Sequence, residues 1–152
     1  MRKFIDRILE NFLAFLLALM TLDVLWGVFT RYVMGAQASW SEELARFLLI
    51  WIGILGAAWA SGKHMHLAID LYPMSLNPDR RIQLYWFINS LIILFVVVVL
   101  VIGGLRLVYV TSTLGQTSAA LQVPLSVVYS IVPISGIVII YYKIYDLIHS
   151  EV

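Results

Sequence analysis

The run LIILFVVVVLVIGG, Leu91 to Gly104, sets fourteen residues in succession without one polar side chain. With its flanks it forms an apolar stretch from about Leu84 to Leu107. Crossing a hydrocarbon layer takes about 20 apolar residues in a helix. The β-branched valines would suit a strand in water, but an isolated strand in lipid leaves its backbone groups without partners, whereas a helix satisfies them internally. Three further stretches meet the same requirement: residues 8–33, interrupted by Asn11 and Asp23; residues 44–60; and residues 123–148. The expectation is an all-α integral membrane protein, a single membrane domain over residues 1–152 with four transmembrane helices.

Composition points the same way. The chain is 62% hydrophobic and 12% charged, with a mean hydropathy of +0.94, against roughly a quarter charged residues in ordinary soluble domains. A net charge near +1 gives no footing for nucleic acid or an acidic substrate; membrane lipids are the expected surroundings. The absence of cysteine removes disulfides, thiol catalysis and cysteine-ligated metals. The N-terminal MRKFIDRILENF lacks a short apolar core followed by a small-residue cleavage site, so it reads as the start of an uncleaved first helix.

Lysine and arginine set the orientation. With the N-terminus in the cytoplasm, Arg2, Lys3, Arg7, Lys63, Arg80, Arg81 and Lys143 lie inside, and Arg31, Arg46 and Arg106 lie outside. This bias places both termini in the cytoplasm of a multi-pass inner-membrane protein, with the segments 35–43 and 109–122 facing out. Local signals mark the joints. Ser39 and Glu42 fit a capping box at the start of the second helix. Pro124 opens the fourth, where a missing N–H costs nothing, and Pro133 is expected to kink it. No internal repeat of the kind that builds inverted-topology transporters is visible.

Few residues offer chemistry. His66 and Asp70 share a face at i,i+4 on a helix, as metal ligands would, but His64 shares a face with His66 only on a strand, and no single regular conformation presents all three. The preferred reading is an interfacial cytoplasmic turn. Haem would need histidines projecting into a bundle core, and His64, His66 and His149 fall at membrane ends. Asp23 sits near the middle of the first span, where a charge costs roughly 2.5–3.5 kcal/mol on insertion scales. It could bind a cation or proton, pair with a buried partner such as Arg46, or be protonated and hydrogen-bonded to a neighbouring helix. Glu42, Glu43 and Arg46 begin the second helix, the acids favoured by its positive end. They read either as a surface helix start with local ion pairs or as a docking edge for a partner. No nucleophile with its base, phosphate loop or carboxylate pair appears, so neither an enzyme nor a resident cofactor is expected. Small residues at Gly53, Gly56, Gly103, Gly104 and Gly136 let helices approach closely, whether within the chain or against a partner. A chain this poor in intramembrane polar groups is expected to support a partner rather than to transport alone.

The chain resembles the small membrane subunit of the tripartite ATP-independent periplasmic (TRAP) transporters. The residues that carry the likeness are Trp40-Ser-Glu-Glu-Leu-Ala-Arg46, Trp51, Gly56-Ala-Ala, His66 with Asp70, Gln116-Thr-Ser-Ala-Ala-Leu-Gln-Val-Pro124, Tyr129 and Pro133. The resemblance implies a sodium-coupled importer of organic acids in which a soluble periplasmic protein captures the substrate and a large multi-span permease subunit carries it by an elevator motion. It implies that the small subunit is a fixed scaffold, that Trp40, Glu42, Glu43 and Arg46 are docking candidates, and that sodium and substrate sites belong to the large subunit. The wording around Leu121–Pro124 is most like sialic-acid members; C4-dicarboxylates or other sugar acids stay open. Two rival readings are a small proton-coupled antiporter using Asp23 and a haem or quinone anchor.

Overall fold

The computed structural model describes residues 2–36, 38–63 and 78–148. It contains four rods long and apolar enough to cross a membrane. The first is α1 (Arg2–Val33) and the second α2 (Ser39–Gly62). The third is continuous from α3 (Pro78–Phe95) through a π-helical segment (Val96–Gly103) into α4 (Gly104–Thr113). The fourth is made of α5 (Leu125–Tyr129) and α6 (Ile131–Ile148). Each rod is longer than its apolar core; at 1.5 Å per residue α1 alone measures about 48 Å, against about 30 Å of hydrocarbon.

Burial follows a seven-residue period. On α1 the buried positions include Leu9, Leu16, Asp23 and Thr30, and on α2 they include Ser41, Leu48, Leu55 and Gly62. That spacing keeps one narrow stripe facing a partner, as in a left-handed coiled coil. On the third rod the buried residues are Asn89, Val96, Gly104 and Thr111. The steps are seven, eight and seven, and the longer step falls on the π segment, whose wider turn absorbs one extra residue and returns the stripe to register.

Because the two outer rods carry one stripe each, the four rods do not close into a bundle. α1 packs along α2, α2 along α6, and α6 along the third rod, with no extended contact between α1 and the third rod among the described residues. The spatial order is first, second, fourth, third, in a single layer. The fourth rod, in the middle, has 33% of its apolar window buried, whereas the third rod, at the edge, has 11%. Side chains such as Phe15, Leu22, Phe87 and Leu94 are consequently exposed by more than half, as lipid-facing or partner-facing groups are.

Close approach holds the layer together. A Cβ on Gly104 would meet Pro133 Cδ at 2.9 Å, and one on Gly136 would meet Leu100 Cβ and Val101 Cγ2 at 3.0 Å. The end that holds both termini is stapled by polar contacts. Arg2 pairs with Asp146 at 2.9 Å and donates to the Gly62 carbonyl. Tyr142, fully buried, donates to Asp6, and Lys63 pairs with Glu10 at 2.9 Å.

One local expectation, the capping box, needs correction. The N-cap of α2 is Ala38 and no side chain caps it, so Ser39 and Glu42 form no capping box; Ser39 is already the first helical residue. Pro124 precedes the first helical residue Leu125, with the extended ψ of 125° typical of a cap position. The fourth rod is interrupted at Ser130, three residues before Pro133. Pro133 has no N–H for the Tyr129 carbonyl, the last of α5.

Gly104→Val is expected to lower the stability of the purified protein in detergent by about 1–3 kcal/mol, since the added methyl groups must displace Pro133. Gly53→Val, where nothing lies within 4 Å of an added Cβ, is expected to unfold within about 0.5 kcal/mol of wild type. Thermal unfolding of both variants side by side checks the difference.

Candidate functional site

The loop end, opposite the termini, gathers the candidates near the start of α2. Leu114–Pro124 is closed by its own backbone. α4 ends in a Schellman motif: Gly115, at φ +59°, donates to the Ser112 carbonyl at 3.1 Å, and Gln116 donates to Thr111 at 3.1 Å. Further on, Ser118 donates to the Val123 carbonyl and Leu125 to the Gln116 carbonyl, both at 2.9 Å. The Val123 N–H returns to Ser118 Oγ at 3.2 Å. Gln122 adopts φ +55°, a left-handed conformation uncommon outside glycine, and its side-chain amide donates to the Ala119 carbonyl at 3.0 Å.

Glu43 binds this loop to α2. Its Oε1 accepts the Ala119 N–H at 2.9 Å, and its Oε2 accepts the N–H groups of Ala120 at 2.9 Å and Leu121 at 2.7 Å. Three successive N–H groups pointing into one concavity make an anion nest, here filled by a carboxylate 76 to 78 residues away in sequence. Glu42, one residue before, does something different. It pairs with Arg46 at 3.3 Å, both side chains about two-thirds exposed, a contact worth only a few tenths of a kcal/mol. Trp40 stands 41% exposed beside them. The four docking candidates therefore divide: Trp40, Glu42 and Arg46 are surface groups, while Glu43 is engaged within the chain.

Asp23 does not meet Arg46, whose guanidinium lies on Glu42. The Asp23 residue is buried, and neither carboxyl oxygen has a hydrogen-bond partner among the described residues. Its backbone carbonyl accepts Ser41 Oγ at 3.0 Å, which fixes the first turn of α2 against the last third of α1. A shallow groove lies just above, lined by Gly27, Arg31, Tyr32, Ser41, Glu42 and Ala45.

Trp51, one of the residues that carry the family likeness, has a specific role. Its indole N–H donates to the Val128 carbonyl at 3.0 Å, tying the middle of α2 to α5 just before the break at Ser130. The Glu43 nest and the Trp51 bond were not derivable from residue pattern, because no local signal links positions so far apart. His64, His66 and Asp70 lie outside the described residues. Among those described, no group of three metal-ligating side chains converges.

Comparison with known proteins adds the family context. Residues 20–151 match the family model described as the DctQ component of the tripartite ATP-independent periplasmic transporters. The sialic acid TRAP transporter small permease protein SiaQ of Vibrio cholerae is 27% identical over 68% of this chain and 60% of its own length. The C4-dicarboxylate TRAP transporter small permease protein DctQ of the same organism is 29% identical over 67% of this chain and 44% of its own. The isethionate TRAP transporter permease protein DctMQ of Oleidesulfovibrio alaskensis is 33% identical over 66% of this chain and 16% of its own length. The matches thus span less than two thirds of these relatives.

Asp23→Asn keeps the side-chain shape and replaces a buried carboxyl group that has no hydrogen-bond partner among the described residues. Thermal unfolding in detergent is expected to stay at the wild-type midpoint or rise, by up to about 2 kcal/mol of stability. A clear fall would mean that the carboxylate has a bonding group within the folded chain.

Proposed function

Since this chain belongs to the DctQ component family of the tripartite ATP-independent periplasmic transporters, we propose that it is the stationary scaffold subunit of a secondary importer of organic acids. One observation carries the reading: the four rods form a single open layer. A layer has two apolar faces and no enclosed path, so it can brace another membrane protein and has no interior in which a solute could cross. The partner is a large multi-span permease subunit, which holds the substrate and sodium sites and moves against the layer. The isethionate relative supports the pairing, because the matched segment is only 16% of that permease protein; there, a unit like this one is a minor part of a much longer chain.

Orientation follows from charge. Arg2 and Lys63 cluster with the two termini, and seven of the ten basic residues belong to that side, which makes it cytoplasmic in the inner membrane. The loop end is then periplasmic, and its surface of Trp40, Glu42, Arg46 and the 114–124 loop is where a soluble substrate-binding protein docks. The relatives are named for sialic acid, C4-dicarboxylates and isethionate. All are small organic anions, and that class is assigned to the transporter here. Asp23 gives no support to an autonomous antiporter, since its oxygens are sealed within the α1–α2 seam.

Reconstitution tests the reading. Liposomes holding this chain alone are expected to take up no organic anion, and uptake is expected only when the large subunit and the binding protein are added under an inward sodium gradient. Uptake or proton-coupled efflux by the isolated chain would overturn the assignment.

A further inference from the structure

Glu43 and Glu42 are adjacent, identical in chemistry and opposite in use. Glu42 faces solvent with Arg46. Glu43 turns to the 114–124 loop and fills the nest of N–H groups at Ala119, Ala120 and Leu121. Those three donors belong to the tip, the part of the loop with the least support from its own backbone. The base is fastened by the Schellman motif and by the bonds between Ser118 and Val123. The tip also contains Gln122 at φ +55°, and a non-glycine residue stays in that region only where its surroundings hold it there.

What the tip presents outward is exposed: Thr117, Ala119, Ala120 and Gln122. No charged side chain occurs from Leu114 to Pro124. The surface is therefore a neutral, hydrogen-bonding one, suited to the polar face of a soluble protein. Its shape, rather than its charge, is what a partner would read.

We propose that Glu43 is the positioning residue of the docking surface: its carboxylate does not touch the binding protein but holds the Ala119–Gln122 tip in the form that the binding protein recognises. This rests on the docking function assigned above to the loop end. It separates the two acids: Glu42 lies on the outer surface with Arg46, and Glu43 holds the loop from within the chain.

The test uses the complete transporter in liposomes, with uptake measured against binding-protein concentration. Glu43→Gln is isosteric but aims an amide N–H2 at backbone N–H groups, so the nest cannot be filled as before. The concentration of binding protein giving half-maximal uptake is expected to rise about tenfold, while the maximal rate at saturating binding protein stays within about twofold of wild type. Hydrogen exchange at the Ala119, Ala120 and Leu121 amides is expected to accelerate in the same variant. Lys3→Gln, exposed at the opposite end of the molecule, is expected to leave both measurements unchanged. Should Glu43→Gln fail to assemble, Glu43→Asp keeps the charge at the helix start but withdraws it by one methylene, and the same pair of shifts is expected in weaker form. Faster exchange with no change in half-saturation would overturn the inference, making the contact a structural tie alone. Unchanged exchange would overturn it as well, because the tip would then hold its shape unaided. Wild-type uptake that is independent of the binding protein would instead sink the docking function itself, and this inference with it.

Discussion

Lipid does not push helices together. Hydrocarbon tails are as apolar as leucine, so association in a bilayer depends on close van der Waals fit and on the few polar bonds available. In this chain that fit runs along stripes repeating every seven residues. The outer rods have one such stripe each, and from that single fact the layered arrangement follows. A second stripe on α1 or on the third rod would have allowed closure into a bundle. The third rod preserves its stripe through the π segment at Val96–Gly103; there and at Gly104 the fourth rod comes so near that a Cβ added at Gly136 or Gly104 would crowd its neighbour.

A layer lacks the mutual bracing of a bundle, and the two ends are fastened by polar contacts instead. At the terminal end Arg2 reaches Asp146 and the Gly62 carbonyl, and Tyr142 reaches Asp6, so three rods meet. The Asp146 side chain is almost fully buried, and breaking such a pair leaves a charge without compensation at a cost of about 3–5 kcal/mol. At the other end Glu43 joins α2 to the loop after the third rod, across the fourth. Rigidity of this kind is in keeping with the stationary role proposed above.

Much of the fold was legible in the residues. The four apolar stretches and the small residues at Gly104 and Gly136 are local features, and they predicted rods and close approaches. The resemblance to the TRAP small subunit agrees with the family match over residues 20–151. The order of the rods was not legible, because every rod is apolar on most faces and the decisive seven-residue stripes stand out only once burial is known. Local electrostatics misled at two points. Ser39 and Glu42 have capping-box spacing, yet Ala38 takes the cap position; Arg46 pairs with the exposed Glu42, and the Asp23 carboxyl has no hydrogen-bond partner among the described residues. Glu43 was picked out as a docking residue, but its partners are backbone amides, which carry no signature in sequence.

The open layer is the claim on which the scaffold role stands, and the absence of native cysteine makes it directly measurable by disulfide trapping. Gly136→Cys with Leu100→Cys, where a Cβ added at residue 136 would lie 3.0 Å from that of Leu100 across the fourth and third rods, is expected to oxidise readily within one chain in native membranes. Pairs joining α1 at Leu13, Leu16 or Met20 to the third rod at Ile92, Val96 or Val99 are expected to stay reduced. Efficient intramolecular trapping between α1 and the third rod would show a closed bundle with an interior of its own, and would contradict the account.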